Sequence, residues 1–507
     1  MEKIVSSIND IVWSPVLVVL LVGAGLYFSV RTRFVQLRRI GLMVRLLFRK
    51  RQVETDEYLN AEAGLAQDRA KAGLESKAPG GPKAGARAGS KAGERKGVSS
   101  FEAFCIALSG RVGTGNIVGV ATAIALGGPG SIFWMWVIAF FGASTAFVES
   151  TLAQLFRFSH ETGFRGGPAC YIDKGLHARP LAILYALFTI MATSLMLPTV
   201  QANGMATAVQ NAFGLNPLIS GIFLAVLLGL VIVGGIKRIA KAAALVTPFM
   251  ALIYIGISLV ILALNWRAVP GLLSLIVRNA FGIHPLCGGI LGSTIMMGVK
   301  RGLFSNEAGQ GTGAIPSASA DVRHPAEQGL VQAFSVYVDT LLVCTATALM
   351  ILSAGTYNVL GADGTVLFEG APGLGANYVG YTQAAVDSVL GGGAGLSAGA
   401  VGFGGAFVSI ALTFFVFTTL MAYYFYSESS ILYLCQGSPR AEKILVRVLQ
   451  ALILAAIVFG SAREANLVWT LGDIGVGIMA WVNVAAILIL APLAVRALRE
   501  YEGSLRR

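Results

Sequence analysis

The chain alternates between long apolar runs and short polar connections, and the length of the runs sets its class. Stretches of the roughly 20 apolar residues that carry a helix across a bilayer lie near 11–30, 101–126, 131–156, 180–206, 217–235, 240–265, 272–299, 329–354, 401–427, 441–462 and 466–495, which predicts eleven transmembrane helices. Polar positions inside these runs are few and clustered. The most prominent cluster is Ser109-Gly110-Arg111-Val112-Gly113-Thr114-Gly115-Asn116, within the second run. Hydrocarbon offers no partner to a freed amide or carbonyl, so a helix interrupted there must be buried in protein or line a cavity. Discontinuous helices of that kind hold solutes and ions near the midplane of secondary transporters.

Composition supports the same class. Of 507 residues, 55% are hydrophobic and 13% charged, against about 25% charged in a soluble globular chain. The first run reads as a retained helix and not a cleaved signal: Glu2 and Asp10 outweigh Lys3 before it, and Arg31 and Arg33 follow where a small-residue cleavage site belongs.

Basic residues in loops mark the cytoplasmic side. With the N-terminus outside, Arg157, Arg165, Lys174, Lys237, Arg238, Lys241, Lys300, Arg301, Arg323, Arg440 and Lys443 fall inside, with Arg496, Arg499, Arg506 and Arg507 of the tail. The 354–400 loop holds no Lys or Arg and falls outside; only Arg267 and Arg463 oppose the bias. The expectation is a multi-pass inner (cell) membrane protein with a cytoplasmic C-terminus. The net charge of +12 sits at helix ends and in one loop, without a basic face interleaved with aromatics, so anionic lipid and not nucleic acid is the expected partner. Cys105, Cys170, Cys287, Cys344 and Cys435 form no CxxC pair, and His160, His177, His284 and His324 have no metal-ligand spacing. No cofactor is expected beyond a coupling ion.

Four segments follow: an N-terminal helix (1–32), a cytoplasmic piece (33–98), a core (99–497) and a cytoplasmic tail (498–507). Within the second, 33–48 mixes apolar residues with Arg38, Arg39 and Arg45 and suits a helix on the inner membrane surface, whereas 49–97 is an Ala/Gly/Lys-rich insertion broken by Pro79-Gly80-Gly81-Pro82. The core divides into two sets of five spans, about 99–266 and 268–497. An odd number per set makes the halves inverted repeats, which places a site where the first helix of each half is interrupted. In the second half the expected break lies between Phe281 and Thr294, and the Lys300–Gly309 run is placed at the cytoplasmic end of its helix, where Asn306 and Glu307 either close an inner gate or form a structural loop.

At the first break, glycines at 113 and 115 let the backbone unwind and approach a ligand. The amides of Gly113, Thr114 and Gly115 that open the outer half-helix suit a carboxylate at its positive end, and the freed carbonyls before them suit a cation. Asn116 adds a neutral oxygen fit for Na⁺; close helix packing through small residues is the competing reading. Arg111 is costly near the membrane centre, by roughly 2.5–3.5 kcal/mol or more, and needs a partner. Glu149 and Asp339 are the candidates, in a structural ion pair, a gate or a proton relay. Pro198 loosens a helix that then presents Gln201 and Asn203, amides suited to solute groups or to neighbouring helices. Thr418 and Thr419 are candidate cation ligands, although membrane threonines often bond their own i−4 carbonyl. Tyr423, one turn from Thr419, is placed beside the solute.

Several of these runs resemble a known family. Gly113-Thr114-Gly115-Asn116-Ile117, Gly127-Gly128-Pro129-Gly130 with Phe133-Trp134-Met135-Trp136, Gly166-Gly167-Pro168-Ala169 and Gly298-Val299-Lys300-Arg301-Gly302-Leu303-Phe304-Ser305-Asn306-Glu307-Ala308-Gly309 are similar to the alanine or glycine:cation symporter family over about 99–497 and, more loosely, the first helix. The resemblance implies an all-α transporter of the leucine-transporter (amino acid/polyamine/organocation) type that takes up small neutral amino acids with sodium by alternating access. It further implies that Ser109, Val112, Asn116, Thr418 and Thr419 ligate sodium, and that the amides of Thr114 and Gly115 hold the substrate carboxylate. A proton-coupled carrier is the nearest alternative. An enzyme lacks HExxH, GxSxG, P-loop or paired-carboxylate motifs, and a channel would line a continuous path instead of one level.

Overall fold

The N-terminal run forms an amphipathic helix α1 (Glu2–Val12) and the apolar α2 (Pro15–Arg31) in this computed structural model, which describes residues 2–48, 97–283, 290–361, 364–391 and 402–505. The 49–97 insertion, except Gly97, lies outside the described residues, as do His284, Pro285, Cys287 and the 288–289 glycines. The basic stretch after α2 makes two short helices, α3 (Val35–Arg38) and α4 (Ile40–Leu47), which bury Val35, Met43, Leu46 and Leu47. Arg38 and Arg39 both reach Glu502, at 2.7 and 2.9 Å, tying this piece to the C-terminal helix.

Ser99 starts the core. Its hydroxyl accepts from the Glu102 amide at 3.1 Å while the Glu102 carboxylate accepts from the Ser99 amide at 2.7 Å, a reciprocal cap that fixes the start of α5 (Ser100–Arg111). The helix stops at Val112, resumes as a wide i→i+5 turn over Gly115–Gly119 and continues as α6 (Val120–Gly127), bent by 50° from α5. Next come α7 (Ser131–Leu155), a hairpin of β1 (Phe158–His160) and β2 (Gly163–Arg165) with Phe158 opposite Arg165, and α8 (Pro168–Leu176). Helices α9 (Arg179–Met191) and α10 (Leu197–Phe213) run together through a wide turn at Ala192–Met196, placed just before Pro198, whose missing N–H leaves a rung of the helix ladder open. Then follow α11 (Pro217–Ile232), α12 (Gly235–Leu264) and α13 (Val269–Ala280).

The second half of the core holds α14 (Leu291–Asn306), α15 (Ala314–Ser319) and α16 (Pro325–Val336). A wide turn over Tyr337–Cys344 joins α16 to α17 (Thr345–Ala354). A hairpin of β3 (Asn358–Leu360) and β4 (Val366–Glu369) leads to α18 (Tyr378–Leu390), α19 (Phe403–Leu434), α20 (Pro439–Ser461) and α21 (Ala465–Ser504). The Asp387 carboxylate accepts from the Gly404 and Gly405 amides at 2.6 and 3.2 Å, satisfying donors that open α19.

Among the described residues, eight helices are long and apolar enough to cross a membrane, or nine with the bent α5–α6 pair counted as one span. The expected spans at 217–235 and 272–299 are shorter pieces: α11 has 16 residues, and Phe281–Ile283 divides the other into α13 and α14. Surface and interior are inverted relative to a soluble protein. Phe223, Leu245, Phe249 and Leu252 are each more than 60% exposed, while Arg111, Glu149, Asp339 and Asn116 are buried. That distribution fits lipid outside and a polar centre.

Candidate ion and solute site

Two interrupted helices meet at the centre. One end of the bundle gathers Val98, the β1–β2 hairpin and the end of α15: the Val98 amide donates to the Ser319 carbonyl at 3.0 Å and Arg157 to the Ala320 carbonyl at 2.6 Å. At the other end, Gly127 at the close of α6 lies against Ser293 and Met297 near the start of α14. The α5–α6 and α14–α15 pairs therefore cross the bundle antiparallel.

Their breaks lie side by side. Chain 307–313 is the unwound segment of the second pair, not 281–294, and Lys300–Gly309 runs into the middle of the bundle instead of ending at its edge. Glu307 takes a left-handed φ of 57°, and Gly309 and Gly311 have φ of 107° and 89°. A Cβ on Gly311 would also lie 2.4 Å from both Pro168 and Tyr185, so only glycine fits there. The charge map misread Lys300 and Arg301 as a loop end because their partner is 172 residues further on: both side chains are buried and share Asp473 of α21, Lys300 at 2.8 Å. Arg301 also stacks over Trp469 at 4.7 Å, and Trp13 Nε1 donates to the Asp473 carbonyl at 2.8 Å. Asp473→Asn would leave two buried cations without their counter-charge. It is expected to destabilise the protein by about 3–5 kcal/mol, read as a fall in melting temperature in detergent that the surface change Glu500→Gln does not produce.

At the first break, Thr419 of α19 carries the key geometry. Its Oγ1 lies 2.9 Å from the Ser109 carbonyl, 3.1 Å from that of Val112 and 2.8 Å from that of Phe415. One hydroxyl proton serves one carbonyl at a time, so three carbonyl oxygens and a hydroxyl oxygen converge with a single donor among them. Thr418 Oγ1 is 3.0 Å from the same Phe415 carbonyl and also faces Met250. Phe415 is the contributor that sequence reading missed, since a backbone carbonyl leaves no mark on side-chain pattern.

Asn116 points elsewhere. Its Oδ1 accepts from the Gly113 amide at 2.9 Å, and its Nδ2 donates to Asp339 Oδ1 at 2.7 Å. Ser305 and Thr340 also donate to Asp339, at 2.9 and 2.7 Å, and the Cys344 thiol lies 3.2 Å from Ser305. The wide turn at Tyr337–Cys344 is what aims Asp339 inward. The expected sodium residues thus divide between two neighbouring clusters.

Gln201 and Tyr423 are brought to the break. Gln201 Oε1 accepts from the Thr114 amide at 3.0 Å, and its Nε2 lies 3.4 Å from the Tyr423 hydroxyl. Asn203 is not: it donates to the carbonyls of Gly460 and Arg463 at the end of α20. Arg111 ion-pairs with neither Glu149 nor Asp339 among the described residues. Its Nε donates to the Asn306 carbonyl at 2.7 Å, and its Nη1 to Gln332, at 3.2 Å, and to Ser335. Arg111 thereby fastens the first break to the second. Buried atoms without a hydrogen-bond partner among the described residues concentrate here: Arg111 Nη2, Thr114 Oγ1, Asn306 Nδ2, Gln310 Oε1 and Gln332 Nε2. Such atoms are costly unless a ligand serves them in some state of the cycle.

Two antiparallel broken helices with unmet polar groups at their breaks, inside an apolar-surfaced bundle, define a secondary transporter. The fold matches the crystal structure of MhsT in complex with L-phenylalanine, with a TM-score of 0.55 at 13% identity over 80% of this chain and 99% of that one; the fold is the leucine-transporter type expected from the sequence. The sequence profile of the sodium:alanine symporter family matches residues 1–68 and 83–507, and the chain belongs to that family. It is 47% identical over 412 residues to the sodium/proton-dependent alanine carrier protein of Bacillus sp. (strain PS3), covering 81% of this chain and 89% of that one. It is 35% identical over 502 residues to the sodium/alanine symporter AgcS of Methanococcus maripaludis, covering 97% and 95%.

Proposed function

We propose that the protein takes up a small neutral amino acid of the alanine class together with Na⁺, by alternating access. The observation that carries this reading is the convergence of the Ser109, Val112 and Phe415 carbonyls on Thr419. Neutral oxygens in that number and spacing suit a hard monovalent cation, and Thr418 supplies a further hydroxyl. Sodium there stiffens the junction of the first break with α19. Asn116 acts one step away, holding the Gly113 amide and Asp339 and so shaping the unwound turn.

The substrate carboxylate is received by the amides of Gly113, Thr114 and Gly115 at the start of the outer half-helix. Gln201 Oε1 already places an acceptor on the Thr114 amide, and the carboxylate takes over that bond as Gln201 turns toward the rest of the solute with Tyr423. Ion and amino acid then stabilise the same closed arrangement. Support for the inverted-repeat organisation, about 99–266 and 268–497, comes from the antiparallel course of the two broken helices. The end bearing Arg157, Arg165 and Lys174 faces the cytoplasm, with α3–α4 and the C-terminal tail against the inner leaflet and the N-terminus outside; the basic residues of that end support this sense.

Purified protein in proteoliposomes, given labelled alanine, glycine, serine and glutamine with a Na⁺ gradient or a pH gradient alone, tests the reading. Alanine accumulation under the Na⁺ gradient is expected. Equal accumulation in the complete absence of sodium overturns it.

A further inference from the structure

Two consecutive residues without glycine's freedom turn the chain at the end of α2. Arg33 and Phe34 take left-handed φ of 55° and 52°, a conformation that ordinary residues keep only where their surroundings fix it. Here the Phe34 amide donates to the Ser29 carbonyl at 2.6 Å, Gln36 donates to the Ser29 hydroxyl at 2.7 Å, and that hydroxyl lies 3.1 Å from the one of Ser144 on α7. The turn brings α3 and α4 back onto the bundle, where Val35, Met43, Leu46 and Leu47 are buried.

The outward side of this piece has two parts. Ile40, Val44 and Phe48 recur every four residues, each more than a third exposed, beside the buried face of Met43, Leu46 and Leu47. Between Arg31 and Arg45 the chain also carries five arginines and no acid. Arg38 and Arg39 are spent on Glu502. Arg33 and Arg45 are exposed and form no ion pair among the described residues. An apolar stripe bordered by unpaired guanidinium groups suits a phospholipid with a negative headgroup: acyl chains cover the stripe and phosphate oxygens take the arginine donors. Just before the turn α2 exposes Leu26 and Val30 as well, a surface that calls for lipid and not for a soluble partner.

The inward side leads to the first break. The Phe48 ring lies 6.3 Å from that of Phe101 on α5, Phe101 lies 6.5 Å from Phe104, and Phe104 lies 6.4 Å from Phe334 of α16. Gln328 of α16 donates to Ser100 at 2.7 Å. α4 therefore closes one side of the start of α5, whose other end supplies the Ser109 carbonyl that meets Thr419, with that of Val112 just beyond it. A helix of 12 residues is a lever about 18 Å long. Freedom at its start displaces the carbonyls at its end.

We propose that α3–α4 is a binding surface for anionic phospholipid, and that lipid held by Arg33 and Arg45 raises the sodium affinity of the first break by keeping α5 seated. This rests on the symport reading above and, for the choice of the inner leaflet, on the orientation given there. The lipid does not touch the ion. It raises the fraction of molecules whose Ser109 and Val112 carbonyls stand at Thr419, and apparent affinity scales with that fraction.

The test is sodium-dependent binding of labelled alanine to the full-length protein in nanodiscs of phosphatidylcholine alone or mixed with phosphatidylglycerol. Both leaflets are alike in such discs, so the outcome is independent of which way the protein faces. Half-saturating sodium is expected to be about fivefold lower with phosphatidylglycerol, the equivalent of the roughly 1 kcal/mol that one basic side chain gains at an anionic surface. An anionic surface also concentrates sodium, so the double variant Arg33→Gln/Arg45→Gln is measured in the same discs. It is expected to match wild type in phosphatidylcholine and to lose most of the shift. Glycerol phosphate added to phosphatidylcholine discs is expected to produce no shift.

Equal half-saturating sodium for wild type in both kinds of disc overturns the lipid proposal, leaves the sodium reading standing and needs no variant to fold. A full shift in the double variant overturns the assignment to these arginines, and a shift with free glycerol phosphate overturns the membrane as its source. Alanine binding indifferent to sodium in every disc overturns the symport reading together with this one.

Discussion

Thr419→Val is expected to raise the sodium concentration for half-maximal alanine uptake by about 10- to 150-fold, the equivalent of the roughly 1.5–3 kcal/mol carried by a hydrogen bond or ligand to a charged group. Valine keeps the shape and the β-branch, so the change removes an oxygen and little else. Thr419 is fully buried and its hydroxyl touches the Ser109, Val112 and Phe415 carbonyls. Those carbonyls belong to two elements, the end of α5 and the middle of α19, which the proposed ion would join. Uptake measured against sodium concentration, with melting temperature as the control for folding, checks this. A shift below about twofold would remove Thr419 from the ion site.

Gly113→Ala carries the second large effect and acts on both ligands. A Cβ at 113 would sit 2.7 Å from Gln201 Oε1 and 2.7 Å from Thr419 Oγ1. The end of Gln201 can swing away, but Thr419 is a short β-branched side chain on a helix and has nowhere to go. Overpacking of this kind costs about 1–3 kcal/mol, and here it falls on the turn proposed to bind ion and carboxylate together. Uptake at subsaturating alanine and sodium is expected to drop by about 5- to 150-fold. Gly229→Ala on α11, where the nearest atom is Leu454 Cδ1 at 3.6 Å, is the matched control and leaves uptake unchanged.

What the sequence reveals about this site follows from where its chemistry resides. The first break was legible because glycine, threonine and asparagine stand out inside an apolar run, and the paired threonines of α19 were legible by the same contrast. The second break was displaced by about twenty residues because Phe281-Gly282 has the look of an interruption, whereas Glu307–Gly313 follows two cations that imitate a loop end. Their true partner, Asp473, lies on the last helix, and no local pattern signals a pairing across that distance. Arg111 illustrates the same limit. Its cost in the membrane called for an acid, but a carbonyl, an amide and a hydroxyl from Asn306, Gln332 and Ser335 take its donors. Asn203 looked equivalent to Gln201 two residues away, yet helix geometry turns the two some 200° apart, one to the break and the other to α20. Asn483 and Tyr185, which donate to the Gly309 and Gln310 carbonyls of the second break, were missed for want of a signal: each is a polar group within a run read as apolar, and Tyr171, which donates to Asn483, lies in a connection between runs.

The two clusters at the breaks also explain how ion and solute become dependent on each other without touching one another's every ligand. In the proposed arrangement sodium fixes the Ser109 and Val112 carbonyls, and the amides that follow within the same turn receive the carboxylate. Ordering by one ligand therefore lowers the ordering still required by the other. Linkage makes the effect reciprocal.

The most direct test is equilibrium binding of labelled alanine to the purified protein over a range of sodium concentrations, paired with the sodium dependence measured at a range of alanine concentrations. The account predicts that sodium raises alanine affinity by the same factor by which alanine raises sodium affinity, and that Thr419→Val reduces this factor toward one. Alanine binding of equal strength with and without sodium in the wild-type protein would contradict it.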